Sequence, residues 1–217
     1  CLYIMFCLLI LPVMAFAQYF RNLNVAEGLP NNVGKCFVQD GQGFLWIGTF
    51  NGLARYDGYR FTTYRHIEGD TTTLTSSHVE SLCYDGKDGL WIGTKGGIDY
   101  MSLADRKIVH CRYVNPKNRQ VESMPATYIW KIVLAGNRLW AVNAYDQLFY
   151  KQANSSVVWK TLSWKGERVK GIAAYDGKNL LVLTDAKLRL MDAQTLQVKN
   201  SCAVAQIDKS CLCNLYY

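Results

Sequence analysis

The sequence predicts an all-β protein built from repeated units of four short antiparallel strands. The first observation is a segment at 40–49, Asp-Gly-Gln-Gly-Phe-Leu-Trp-Ile-Gly-Thr, which returns at 85–94 as Asp-Gly-Lys-Asp-Gly-Leu-Trp-Ile-Gly-Thr. The second is the spacing of 45 residues between Trp46 and Trp91 in the two copies. The third is the Gly- and Asp-rich turns that separate short apolar runs. A period in the forties built from such strands indicates a partial β-propeller.

The first unit is the template for the others. Residues 33–39 are predicted as a strand, and the Asp-Gly-Gln-Gly turn leads into a second strand at 44–49. A third strand at 52–56 and an Asp-Gly pair predict a hairpin into a fourth strand at 60–64. The second unit repeats this order and has its fourth strand at 107–113. The predicted blades span 33–64, 79–113, 128–162 and 169–203, and 210–217 is the start of a fifth.

Tryptophan and glycine in the second strand of the repeat are predicted to be structural. Trp46, Trp91 and Trp140 lie at corresponding positions. An indole there can fill the gap between adjacent sheets, and truncating such a side chain costs about 3–5 kcal/mol. Gly48 and Gly93 follow two residues later, where a side chain would collide with this packing or where the strand must bend.

The two termini predict an exported piece of a longer protein. Residues 1–17 are an apolar run ending in Ala-Phe-Ala, which is typical of a signal peptide, here with a truncated 5′ end. Residues 18–32 are predicted as an orphan outer strand, at 19–23, and a linker. In a closed ring such a strand completes the last blade. Because four units and a start of a fifth do not close with it, the propeller is predicted to be incomplete at its C-terminus.

The bulk composition indicates a globular protein with a soluble surface. Half of the chain is apolar and the formal net charge is +7, but Lys and Arg are spread without a basic cluster, so we expect no nucleic-acid contact. Six cysteines follow the signal segment, without the spacing of a disulfide scaffold or a zinc site. Free core thiols are the favoured interpretation.

Strand polarity predicts which end of the propeller binds ligand. The turns between second and third strands emerge at the same end as the linkers between blades, and these linkers are long and varied at 65–78 and 115–127. Binding residues concentrate on variable loops held by a rigid scaffold. We therefore expect a ligand at this linker face. The candidate ligand-binding residues are Phe50, Asn51, Lys95, Tyr145, Asp146 and Trp164.

No motif in the sequence predicts a metal, a cofactor or catalysis. His66, His78 and His110 are scattered, and Asp85 and Asp88 are too few for a calcium loop. No nucleophile elbow or phosphate-binding Gly-Lys-Ser/Thr motif occurs. The expectation is therefore a chain with no catalytic residue, no metal and no cofactor.

The repeat carries a family resemblance. Gly-Leu-Pro-Asn-Asn-Val at 28–33, Leu-Trp-Ile-Gly-Thr at 45–49 and Gly-Leu-Ala-Arg-Tyr-Asp-Gly at 52–58 resemble the two-component regulator propeller repeat. The resemblance implies the N-terminal periplasmic sensor region of a hybrid two-component system histidine kinase, anchored in the inner membrane through a segment downstream of these residues. It also implies homodimers and detection of oligosaccharides that switch on polysaccharide-utilisation genes.

Two other functions stay open on the residues alone. One is an exported propeller enzyme, a glycosidase or lyase, although no carboxylate pair of suitable separation is identifiable. The other is a scaffold for protein partners, although the Gly-His and Trp-Asp marks of that class of propeller are missing.

Overall fold

The computed structural model describes residues 22–153 and 157–204, which form four β-sheets set side by side. Three sheets are antiparallel meanders of four strands in chain order, and one sheet has six strands. The predicted fold class, a partial β-propeller of about four blades, is confirmed. The predicted signal segment 1–17, most of the orphan strand 19–23 and the fifth-blade start 210–217 lie outside the described residues.

Each blade runs from an inner first strand to an outer fourth strand. Blade 1 contains β1 (Gly34–Gln39), β2 (Leu45–Thr49), β3 (Gly52–Tyr56) and β4 (Phe61–Tyr64), and blade 2 contains β5 (Val79–Tyr84), β6 (Gly89–Thr94), β7 (Gly97–Ser102) and β8 (Ile108–His110). Blade 3 contains β11 (Ile129–Ala135), β12 (Arg138–Asn143), β13 (Leu148–Gln152) and β14 (Val158–Leu162), and blade 4 contains β15 (Val169–Ala174), β16 (Asn179–Thr184), β17 (Lys187–Asp192) and β18 (Val198–Ala203). A hairpin, β9 (Arg112–Val114) and β10 (Val121–Ser123), and a 3₁₀ turn (Val25–Glu27) complete the elements.

In blades 1, 2 and 4 the turn after the inner strand is closed by an aspartate side chain. The Asp40 carboxylate accepts hydrogen bonds from the backbone N–H groups of Gln42 (2.9 Å) and Phe44 (3.0 Å). Asp85 and Asp176 occupy the same place in blades 2 and 4 and accept backbone N–H groups in the same way. A short polar side chain that satisfies nearby backbone donors stabilises such a turn and sets the hairpin register.

The second-strand indoles lie between blades. Trp46 is fully buried against blade 2, where it packs with Val79 and Ile92, and its Nε1 donates to Asp40 at 2.8 Å. Trp91 packs against blade 3 and meets Trp159 edge to face, with ring centroids 5.6 Å apart. Trp140 packs in the same way against blade 4. Blades 1, 2 and 3 therefore each insert one indole into the face of the next blade.

Glycine in the second strand permits this close approach. A Cβ on Gly48 would lie 2.5 Å from Cys36 Sγ and 2.6 Å from Val79 Cγ1 of blade 2. A Cβ on Gly93 would meet the Ser81 hydroxyl and lie 2.6 Å from the Ile129 carbonyl oxygen of blade 3. Neither position has room for a side chain, because the backbone of one blade touches the inner strand of the next.

Blade 3 is wider than the sequence predicts. The segment 107–113, predicted as one strand of blade 2, divides at Cys111 into β8, which pairs with β7, and β9, which pairs in parallel with β14. The Cys111 N–H still donates to Ile98 of blade 2, whereas the Arg112 N–H donates to Val157 of blade 3. The linker between the blades thus adds a hairpin to the outer edge of blade 3. Each of its strands has only three residues, which are too few to show the alternation of apolar and polar residues that predicts a strand.

The linker between blades 1 and 2 is anchored by a buried carboxylate. Asp99 on β7 has no exposed surface and accepts the backbone N–H and the hydroxyl of Thr75, both at 2.9 Å. His66 and His110 lie near it and bind the carbonyl oxygens of Leu74 (2.7 Å) and of Thr73. Burial raises the pKa of Asp99 to about 6, against the hydrogen bonds from Thr75 that lower it.

No helix within 22–153 or 157–204 is both long and apolar enough to cross a membrane.

Gly93→Ala tests the packing between blades. We expect the free energy of unfolding to fall by about 1–3 kcal/mol, because the new methyl group meets a backbone carbonyl that cannot move far. Gly34→Ala is the matched control, since its Cβ would lie 3.6 Å from Ile47 in ordinary contact and its φ is not positive. Chemical denaturation of both variants measures the difference. Equal stability of the two variants would contradict the packing described for Gly93.

Asp99→Asn tests the buried carboxylate. A folded-state pKa above the unfolded value means that Asp99 favours the folded state below pH 4 and that this contribution is lost as pH rises through about 6. The free energy of unfolding of the variant, relative to that of the parent chain, should therefore rise by up to about 3 kcal/mol between pH 4 and pH 7. Denaturant unfolding at each pH measures the gain.

Asp70→Asn is the control for that series. Asp70 lies exposed in the same linker, and the hydrogen bond from the Thr72 hydroxyl lowers its pKa. Its titration therefore falls below pH 4, and the stability difference from the parent chain should stay flat from pH 4 to pH 7. A flat profile for Asp99→Asn as well would show that burial does not raise the pKa of Asp99.

Candidate functional site

The linker face of the propeller is shaped by a threonine at the end of the second strand in blades 1, 2 and 4, where blade 3 has Asn143. The Thr49 hydroxyl donates to the Gly52 carbonyl (2.8 Å) and accepts the Asn51 N–H (3.1 Å). Thr94 makes the same pair of contacts with Gly97 and Gly96 in blade 2. A side chain that bonds both ends of the turn holds it in one conformation. The residues carried by these turns, Phe50 and Lys95 among them, thus have fixed positions.

A β-bulge recurs at the start of every inner strand. In each blade the pairing of the first strand with the second skips one residue at the linker-face end. A bulge leaves the extra residue out of the ladder and re-aims its side chain. The four bulged residues are Lys35, Glu80, Trp130 and Lys170. The propeller thus presents one re-aimed side chain per blade at the inner rim of the linker face.

Three rings from different parts of the chain form an aromatic row on this face. The ring centroids of Phe50 and His78 are 4.5 Å apart, and those of His78 and Tyr128 are 5.1 Å apart, both edge to face. Phe50 belongs to blade 1, His78 precedes β5 and Tyr128 precedes β11. The row therefore crosses from blade 1 over blade 2 to the entry of blade 3. Phe50 keeps 40% of its surface exposed.

Charged groups border the aromatic row. Glu80 lies 3.2 Å from the Lys35 ammonium and 2.6 Å from His78 Nε2, so its carboxylate holds both neighbours. The Lys35 ammonium also lies 5.0 Å from the centre of the Phe50 ring. At the other end, the Lys95 ammonium lies 5.6 Å from the centre of the Tyr128 ring. The row thus ends in a cation on each side.

A groove opens beside the row along the inner strands of blades 1, 2 and 3. Its volume is about 610 Å³. Among the residues that line it are Lys35, Glu80, Trp130 and Lys131, and Glu80 is the only carboxylate among them in the described part of the chain. A concave site with aromatic surface and a few polar groups can hold a small ligand or one or two sugar rings.

The other predicted ligand residues do not join this row. The Asn51 side-chain amide donates to the Pro30 carbonyl (3.4 Å), and the Asn51 backbone carbonyl accepts from the Arg65 guanidinium, so Asn51 connects the linkers on both sides of blade 1. Tyr145 is 66% exposed on the β12–β13 turn of blade 3. Asp146 on the same turn binds the Lys170 ammonium at 2.5 Å and therefore ties blade 3 to blade 4.

Trp164 also packs between two blades and does not reach the aromatic row. It packs against the core shared by blades 3 and 4, and the Arg189 guanidinium lies 4.7 Å from its ring centre. Arg189 in turn forms a two-pronged ion pair with Glu167, with both N–O distances 2.6 Å. These hydrogen bonds lower the pKa of Glu167 to about 2. Of the six predicted residues, the structure brings only Phe50 and Lys95 to one row.

Sequence reasoning missed the residues that complete the site. His78 ends a predicted linker, and Tyr128 is predicted to begin a strand, although the structure places it just before β11. Lys35, Glu80 and Trp130 lie in predicted strands. A usable signal existed in the strands, because charged residues or a tryptophan occupy the same position of otherwise apolar inner strands in all four blades. No comparable pattern identifies His78 or Tyr128, which meet only because neighbouring blades pack together.

The thiols in and near this site are unreactive, and of the three only Cys36 lines the groove. Cys36, Cys83 and Cys111 are free, and burial raises the pKa of each to about 12. Such thiols stay protonated and unreactive at neutral pH. Among the described residues, no cluster of three or more His, Cys, Asp or Glu side chains could hold a metal ion.

Comparison with known proteins identifies the repeat. Residues 27–51 and 73–96 match the family model described as two component regulator propeller. The matched segments contain the Leu-Trp-Ile-Gly-Thr strands of blades 1 and 2 and the turns that carry Phe50 and Lys95. The chain is thus a propeller that carries two-component regulator propeller repeats, as the resemblance implied.

Solved structures share this fold over most of the chain. The extracellular domain of the putative one component system BT4673 from B. thetaiotaomicron aligns with a TM-score of 0.60 at 21% identity, over 84% of this chain and 27% of that one. The same domain, described as part of a putative hybrid two component system, aligns with a TM-score of 0.54 at 23% identity, over 77% and 24%. Both structural neighbours are described as the extracellular domain of such a putative system.

A neighbour from another system has the same fold. PorZ, a surface component of the type-IX secretion system of Porphyromonas gingivalis, aligns with a TM-score of 0.56 at 16% identity, over 82% of this chain and 23% of PorZ. At these identities the likeness establishes the fold. The chain spans about a quarter of the length of these three structures. No curated protein matches the chain.

Proposed function

We propose that this chain is the ligand-sensing propeller module of a two-component signal transduction sensor and that it detects oligosaccharides to regulate polysaccharide utilisation. The module lies in the periplasm and belongs to an inner-membrane sensor whose remaining part carries the histidine kinase. The family match and the extracellular domains of putative one component and hybrid two component systems among its structural neighbours support this proposal.

The single observation that carries the ligand class is the aromatic row beside the groove. Sugar rings have apolar faces and hydroxyl edges, so they bind where aromatic rings lie next to charged or amide groups. Phe50 and Tyr128 offer such rings, with Lys35 and Lys95 beside them. The preformed turns and the paired Glu80 reduce the ordering cost of binding.

The position of the row supports a signalling role. Its rings come from blade 1, from the linker into blade 2 and from the linker into blade 3. A ligand that contacts all three stabilises one relative placement of these blades. In a homodimer of the longer protein, that preference would favour one arrangement of the two subunits, because a ligand shifts an equilibrium by its differential affinity for the two states.

Loss of one ring should weaken saccharide binding. We expect Phe50→Ala and Tyr128→Ala each to raise the Kd of the best oligosaccharide ligand about threefold to tenfold, because each removes an aromatic contact. Calorimetric titration of the purified chain with a library of plant and microbial oligosaccharides measures the Kd. Thermal unfolding of each variant checks that the blades stay intact.

Tyr59→Ala is the matched control. Tyr59 is 88% exposed on the turn between β3 and β4, at the opposite end of blade 1, so its removal should leave the Kd unchanged. Absence of binding to every oligosaccharide would overturn the proposal. Release of new reducing ends or unsaturated products by the purified chain would instead identify a glycosidase or a lyase.

A further inference from the structure

We propose that the ligand of this groove is an acidic oligosaccharide, one whose rings carry carboxylate or sulfate groups, and that Lys95 and Lys131 bind those groups. The inference rests on the proposed function and makes its ligand class more specific. It follows from which charged side chains around the groove already have a partner and which do not.

Most charges near the inner rim are paired. The Glu80 carboxylate is held by Lys35 and by His78. The ammonium of the next bulged lysine, Lys170, binds Asp146. Each of these groups is satisfied within the protein and would have to give up a partner in order to bind a ligand.

Lys95 and Lys131 differ from these lysines. Lys95 is exposed on the β6–β7 turn, and its ammonium lies over Tyr128, at the end of the aromatic row. Lys131 is partly buried on β11, directly after the bulged Trp130, and lines the groove. Within the part of the chain that the structure describes, neither ammonium has a carboxylate within 4.0 Å. Both cations therefore remain available to a ligand.

The groove and its rim consequently carry excess positive charge. Three ammonium groups, on Lys35, Lys95 and Lys131, face one carboxylate, that of Glu80. A concave surface with low-dielectric walls concentrates this potential and attracts anions. A neutral sugar would leave both cations without a partner, whereas a carboxylate or sulfate would form charge-assisted hydrogen bonds with them.

The aromatic row and the free cations together suit one kind of molecule. Tyr128 precedes β11, and Trp130 and Lys131 lie at its start, so ring faces and an ammonium occur within four consecutive residues. An acidic sugar presents an apolar ring face and an anionic substituent at its edge. A simple anion has no ring face, and a neutral sugar has no charge to match.

Charge-matched pairs of saccharides test the proposal. Oligomers of galacturonate, mannuronate and glucuronate are compared with their carboxyl-reduced counterparts, and sulfated galactan oligomers with their desulfated counterparts. We expect at least one acidic member to bind the purified chain at least tenfold more tightly than its neutral counterpart. Its affinity should also fall as NaCl rises from 0.05 M to 0.5 M, because the ion pairs are partly exposed. Tighter binding of a uronate oligomer would identify carboxylate as the recognised group, and tighter binding of the sulfated galactan would identify sulfate.

Substitutions assign the effect to the two lysines. Lys95→Gln and Lys131→Gln should each weaken binding of the acidic ligand about tenfold and should lower the ratio of acidic to neutral affinity. Lys160→Gln is the control, since Lys160 is exposed on β14 of blade 3 and the variant changes net charge equally. Lys95 lies on a surface turn, so its variant tests the proposal even if Lys131→Gln unfolds.

The outcomes separate this inference from the function on which it rests. Equal binding of acidic and neutral oligomers, or unchanged affinity in Lys95→Gln, would overturn the acidic ligand and leave an oligosaccharide sensor. Binding that Lys160→Gln weakens as much as Lys95→Gln would show a general effect of net charge and would also overturn it. Absence of binding to any saccharide would overturn the proposed function itself.

Discussion

The packing of one second-strand indole against the face of the next blade is the interaction on which the structure depends. Trp46, Trp91 and Trp140 each fill the same gap, and each is almost completely buried. A single blade is a small meander that is apolar on both faces of its sheet. It cannot form a core alone, because both faces need a neighbour to cover them. Because the same indole packs at each of the three junctions, the blades lie side by side, and the inner strands of blades 1, 2 and 3 line one groove.

This packing imposes constraints that reach the linker face. Close approach of the blades requires Gly48 and Gly93, which leave room for the neighbouring inner strand. The same inner strands carry a bulge at their linker-face ends, in register with those second-strand positions. Side chains re-aimed by the bulges therefore lie beside the turns that carry Phe50 and Lys95. The candidate site is built on rigid elements, as precise recognition requires.

The repeat made much of the fold predictable. Strand order and the Asp-Gly turns follow from local chemistry, since Asp40 and Asp85 bond to backbone groups within four residues. The candidate site was less predictable. Phe50 and Lys95 could be chosen because they lie on turns at a known end of the blade. Asp146 lies on such a turn too, yet its carboxylate is bound to Lys170 of the next blade, and no local pattern shows that.

The sequence by itself determined the all-β class, the four-stranded unit, the role of the indole and the end of the propeller where variable loops gather. The strands and turns depend on contacts within one repeat, and the indole makes the same contact at every junction where the motif recurs. Only the tertiary structure decided that His78 and Tyr128 form a row with Phe50, that a hairpin extends blade 3, and which lysines lack a partner. Those features depend on contacts between residues of different blades, and the relative placement of blades is set by packing.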